Sequence, residues 1–206
     1  MGMSRELWLI LIICAGGGLW HMAHREPSAV RQSPGTVAPY SPTQTLLENA
    51  AVISVGRFKL TPLAEFRTEA RVLSRKSYGS DAESELSPLD FALGWGRMSD
   101  NAVLAQLQIS QSVRFFSYRW ENQPPIPPQE IVVSATNVHL IPEDAGVMHA
   151  LNKVRAGQVI RLEGVLVAAE RGDGWRWRSS LTREDDGAGA CELLLVRKVA
   201  ILKAGS

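Results

Sequence analysis

Hydrophobic positions along this chain fall into three regimes. Leu7 to Ala23 is an apolar run with no charge inside it. Wound as a helix it would be about 25 Å long, near the lower limit for crossing a bilayer. Trp8 and Trp20 stand near its two ends, where indole favours the headgroup layer. From Glu26 to Asn49 the pattern stops, and prolines with Ser, Thr and Gly mark a stretch that cannot bury a core. Beyond residue 50 short apolar stretches of period two are interrupted by short helical patterns. The chain therefore divides into an N-terminal transmembrane signal-anchor over 1–25, a Pro/Ser-rich linker over 26–50, and a single domain over 51–206.

Within the domain, Thr68, Ala70 and Val72 alternate with charged neighbours and predict a strand over 66–74. Ser87-Pro88 reads as a helix start, closed by Gly94 and Gly96. Ser99 and Asp100 can cap a second helix to about Gln106. Residues 109–120 and 131–141 read as strands, 143–154 as a helix with Val147, Met148 and Leu151 inward, and 158–169 as a strand with Ile160, Leu162, Leu166 and Ala168 on its apolar face. Gly172-Asp173-Gly174 turns the chain into 175–180, and a last strand fills 191–202. Without a repeated βαβ pattern this is an α+β fold, with a mainly antiparallel, barrel-like sheet and short helices. An open sheet would give the same alternation.

Two other readings of the N-terminal run compete with the anchor. A cleaved signal peptide lacks an A-x-A pattern, since the apolar run resumes at Leu19. A lipidation site at Cys14 would follow the bulky Ile13. Arg5 before the run and Arg25 after it nearly balance the positive-inside count. The reading adopted is a single-pass protein of the inner or cell membrane with its C-terminal domain extracytoplasmic.

Charge narrows the partners. From residue 51 onward, 19 Lys and Arg face 18 Asp and Glu, leaving +1. Nonspecific nucleic-acid binding needs a concentrated basic face, so no nucleic-acid partner is expected. Arg outnumbers Lys 17 to 5 over the chain, a bias toward planar, bidentate pairing that a GC-rich genome would also produce. Cys191 is the one cysteine of the domain, and its histidines are His139 and His149. No metal-ligand spacing is present, so neither a metal nor another cofactor is expected.

Three constellations could carry chemistry. On a strand Ala135, Asn137, His139 and Ile141 share a face, which sets an imidazole, a possible general base, beside an amide. A strand-end His making structural hydrogen bonds is the simpler account. Residues 179–192 gather Ser179, Ser180, Arg183, three carboxylates and a Gly-Ala-Gly turn before Cys191. Cys191 would be a nucleophile if His139 drew its proton, and otherwise a small core residue. The third is aromatic and basic: Trp175 and Trp177 alternate with Arg176 and Arg178, while Arg114, Tyr118 and Trp120 share a strand face. Such surfaces stack sugars or planar ligands, with Arg binding acidic groups, and plain core packing explains the same pattern. Asp90, Gly94, Trp95, Gly96 and Arg97 could extend a groove.

The strings SPLDFALGWGRMSD, ISQS, SATNVHLIP and SSLTRED with DGAGACE together resemble a group of uncharacterised bacterial membrane-anchored envelope proteins. The likeness spans 87–192 and implies an envelope location, with no activity or catalytic residue to carry over. Two functions remain. One is a binding module that engages an envelope protein or glycan through Trp95, Arg114, Tyr118, Trp120, Asn137, Trp175, Trp177 and Arg183. The other is a hydrolase or transferase with His139 as base and Cys191, Ser110, Ser112, Ser179 or Ser180 as nucleophile.

Overall fold

The structure, a computed structural model, describes residues 29–182 and 190–202. The expected transmembrane anchor over 1–25, with Cys14, and Arg183 lie outside them. Among the described residues no helix is long and apolar enough to cross a membrane.

Among the described residues ten strands carry the domain: β1 (Thr43–Leu46), β2 (Ile53–Val55), β3 (Phe58–Ser77), β4 (Leu89–Gly94), β5 (Gln108–Ser112), β6 (Phe115–Arg119), β7 (Ala135–Pro142), β8 (Val159–Arg171), β9 (Arg176–Arg178) and β10 (Glu192–Leu202). Short helices interrupt them: α1 (Asn101–Leu104), α2 (Pro128–Ser134) and α3 (Ala145–Asn152), with a 3-10 turn at Gly96–Ser99. The fold is α+β, sheet-rich and mostly antiparallel, as the alternation predicts.

The strand pairings run in a circuit. β3 pairs β4, β4 pairs β7, β7 pairs β10, β10 pairs β8, and β8 returns to β3. Four of these ladders are antiparallel, and β7–β10 is parallel. One strand can close the circuit because β3 is long. Its first part, Phe58 to Arg71, lies on β8, and its end, Arg71 to Ser77, lies on β4. An irregularity between Pro62 and Ala64 swaps its faces. Phe58 and Leu60 consequently pack on one side of the sheet and Ala64, Phe66, Ala70 and Val72 on the other.

Each side of the sheet therefore carries a buried cluster. The inner core joins Phe66, Phe91, Leu93, Val138, Leu140, Leu162 and Leu194. The outer core joins Leu60, Leu86, Val167, Leu193 and Leu195, with Trp175 and Trp177 packed against it. A third cluster around Met98, Ile126 and Ile131 receives Phe116 and Tyr118 from β6 and Trp120 just after it. Each fully buried Leu or Phe contributes about 1.5–3 kcal/mol.

Burial on two sides explains where sequence expectations fail. The expected helix from Ser87 is β4, every residue of which is buried. Its polar-side positions are occupied by Asp90, Ala92 and Gly94, so the alternation is masked by small residues. The expected strand over 131–141 begins as α2, since Pro128 opens a helix and Glu130 suits its first turn. Residues 109–120 form a hairpin, with β5 and β6 joined at Val113-Arg114. Asp100 does cap a helix, accepting from the Ala102 amide at 2.8 Å, and Asp144 caps α3 likewise through Val147.

The linker expectation also needs correction from residue 29 on. The Val30 amide donates to the Ala156 carbonyl at 2.6 Å, Ala38 is buried, and β1 pairs with Ala64–Arg67 of β3. The prolines here permit an extended strap that borrows its partners from the domain.

Gly164 tests the closure of the ring. It sits where β8 meets both β3 and β10, and a Cβ there would collide with the Leu195 carbonyl. Gly164→Ala should lower stability by about 1–3 kcal/mol, the range for overpacking, as read by chemical denaturation. An unchanged midpoint would mean the strands are not packed this closely.

Candidate functional site

Residues paired across a ladder share a face. The register Asp90↔His139 and Ala92↔Asn137 therefore sets these four side chains together on the outer surface of β4 and β7. Leu193 of β10 pairs with His139 on the same side. Asp90 has no exposed surface and His139 only 3 %.

A carboxylate so placed requires partners, and they arrive from distant segments. Arg114, at the tip of the β5–β6 hairpin, donates from Nη1 to Asp90 Oδ1 at 3.0 Å and to the Ser87 carbonyl at 2.8 Å. Its Nε and Nη2 donate to the two oxygens of Asp81 at 2.9 and 2.7 Å, a bidentate fork. The guanidinium lies 3.8 Å from the Tyr78 ring centroid and 5.8 Å from that of Trp177. The Arg114 backbone is held as well. Its amide donates to the Tyr78 hydroxyl at 3.2 Å, and Asn137 donates to its carbonyl at 3.1 Å. Gln111 of β5 in turn donates to Asn137 Oδ1 at 2.7 Å.

His139 completes the cluster. Its Nδ1 is 3.0 Å from Asp90 Oδ2, but the approach lies off the line of a good hydrogen bond, so it is a close polar contact. The Trp177 ring covers the imidazole at 4.5 Å between centroids. Among the described residues no hydroxyl or thiol hydrogen-bonds His139.

Proton affinities follow these contacts. The hydrogen bond from Arg114 is the main influence on Asp81 and holds its carboxyl below the usual range, although burial opposes it. Burial is also the largest influence on Arg114 and works against its charge. The hydrogen bond to Asp81 and the charges of Asp90 and Asp81 outweigh it, so the guanidinium pKa rises. Burial and then the Asp90 charge push the Tyr78 phenol up.

The structure brings five of the singled-out residues together: Asp90, Arg114, Asn137, His139 and Trp177. Trp175 packs edge-on to Trp177 and Phe58, 6.0 and 5.5 Å between centroids. Tyr118 and Trp120 stack along β6 over the third core cluster, away from this face. Trp95 is only 2 % exposed, so it is a core side chain and cannot meet a surface ligand. Arg114 is half-buried in an internal ion pair, which withdraws it from a solvent-facing arginine surface. Ser110 and Ser112 are exposed on the hairpin, while Ser179 donates to the Ser180 carbonyl and accepts from the Leu193 amide. Cys191 is half-buried just ahead of β10. No group of His, Cys, Asp and Glu among the described residues could hold a metal ion.

Sequence reasoning missed Tyr78 and Asp81, which lie in the loop between β3 and β4. The available signal was Asp90 within an otherwise apolar stretch, since a buried charge implies a cation elsewhere. Comparison with family models, curated proteins and solved structures finds no match to this chain.

The depressed Asp81 pKa gives a signed pH prediction. The Asp81–Arg114 contribution is complete above the ordinary Asp value of about 3.9 and is lost as pH falls through the lower folded value. The melting temperature of the wild-type chain should exceed that of Asp81→Asn by a constant margin above pH 5, with the gap closing below about pH 4. A gap that persisted at low pH would contradict the pairing.

Proposed function

We propose that this chain is a membrane-anchored binding module of the bacterial envelope, and that its ligand is an acidic glycan taken up beside Trp177. The observation that carries this reading is a groove of about 520 Å³ lined by Thr61, Ala168, Glu170, Arg176, Trp177 and Arg178. Alternation along β9 turns the Trp177 indole toward the outer core and sets Arg176 and Arg178, both exposed, on the opposite face with Thr61, where they suit the carboxylate and hydroxyl groups of an acidic sugar. The near-neutral domain disfavours a polyanion such as nucleic acid.

The circuit of strands supports the same reading by analogy alone. In chain order β3, β4, β7, β8 and β10 run around it first, second, third, fifth, fourth. Five-stranded Greek-key barrels of the oligonucleotide/oligosaccharide-binding kind use the face of their second and third strands and the loops after the first and fourth. Here Asp81 lies in the loop after the first, and Trp177 in the segment after the fourth. Fold does not fix function, so the groove bears the weight.

An enzymatic reading has one observation in its favour. Asp90 stands beside His139 Nδ1, as a carboxylate that orients a base would. Extending the Glu192↔Val138 pairing by one residue sets Cys191 level with Asn137, two residues from His139. The cover of Trp177 and the burial of His139 weigh against it.

Titration of the full-length chain in detergent with soluble muropeptides should show saturable binding. Replacing the exposed Arg176 and Arg178 together by alanine should leave the melting temperature unchanged and weaken binding at least tenfold, equivalent to about 1.4 kcal/mol. Equal affinity in wild type and variant, or no binding by wild type, would overturn the reading.

A further inference from the structure

Two carboxylates, a carbonyl and a phenol ring converge on one guanidinium in this protein, and the arginine they hold sits on an element that is not woven into the barrel. β5 and β6 pair only with each other, as a separate two-stranded sheet. We propose that Tyr78, Asp81, Asp90 and the Ser87 carbonyl form a binding site for an arginine embedded in a polypeptide, that Arg114 is its resident occupant, and that an arginine of a partner protein can take its place.

Three features argue for an exchangeable occupant. The site binds every part of the guanidinium: a fork to Asp81, a single bond to the fully buried Asp90, one to the Ser87 carbonyl, and a face against Tyr78. It also reads the backbone on both sides of the side chain, since Tyr78 accepts from the Arg114 amide and Asn137 donates to its carbonyl. A free guanidinium or a polyamine lacks those groups, so the ligand class is a peptide-borne arginine. Finally, the tip carries strain. Val113 and Arg114 have φ of 49° and 67°, a left-handed conformation that a β-branched residue adopts only under constraint. Hairpin turns of this kind favour Asn-Gly. The cage holds the tip in this shape, and release relaxes it. Val113 is 80 % exposed and Phe115 46 %, so the tip offers apolar surface beside the cage to whatever displaces it. The groove of Trp177 and its ligand are not needed for this inference.

The test supplies the arginine in trans. In the full-length Arg114→Ala chain, millimolar N-acetyl-arginine methylamide should raise the melting temperature by several degrees, with the lysine analogue at equal ionic strength giving a much smaller rise. Adding Asp81→Asn should abolish the difference. Equal shifts with both analogues, or none, would overturn the proposal. Should the variant not fold, hydrogen exchange on the wild-type chain decides. The arginine analogue should speed exchange in 108–119 several-fold over the lysine analogue and leave β8 unchanged. Exchange in 108–119 that is indifferent to the arginine analogue would equally overturn it.

Discussion

The structure depends on the Asp90 carboxylate, which sits on the middle of a sheet with no access to water. Desolvating a carboxylate is costly, and the cost is offset only where opposite charge and hydrogen bonds are close and well oriented. Arg114 supplies both. To reach Asp90 it must enter from the tip of a hairpin, and that requirement fixes where β5 and β6 lie. The hairpin then covers Asn137 and roofs the third core cluster with Phe116, Tyr118 and Trp120. Asp81 and Tyr78 bind the same guanidinium, so the loop after β3 is tied to the hairpin as well. One ion pair thus joins barrel, loop and hairpin.

The barrel itself rests on different physics. Its strands bury two faces, with an inner core of aliphatic and aromatic side chains and an outer one covered by loops and β9. Trp177 links the two arrangements. It packs on the outer core, lies over His139, and lines the groove beside Arg176 and Arg178.

How much of this was legible in the sequence follows from what each signal measures. The charged-alternating part of β3 shows period two, and β8 shows it only in its first half, before Val165 and Val167 enter the outer core. β4 does not, because its second face lies under other elements and carries Ala92 and Gly94 in place of polar residues. Asn137 and His139 share a face as their spacing predicts, since the alternation of a strand is local geometry. Their partners Asp81, Tyr78 and Arg114 come from loops and a turn, and no periodicity encodes which loop reaches which face. The strap over 29–46 was hidden for a related reason. Its prolines describe an extended chain, and the hydrogen bonds that order it belong to the domain.

The central claim is that Asp90 and Arg114 depend on each other, and a double-mutant cycle measures that directly. Asp90→Asn, Arg114→Met and the double variant would be unfolded in denaturant alongside the wild-type chain. The account predicts a coupling energy of about 1–3 kcal/mol, with the second substitution costing much less once the first is made. Additivity within about 0.5 kcal/mol would contradict it, because the two groups would then contribute independently and the hairpin would owe its place to packing alone.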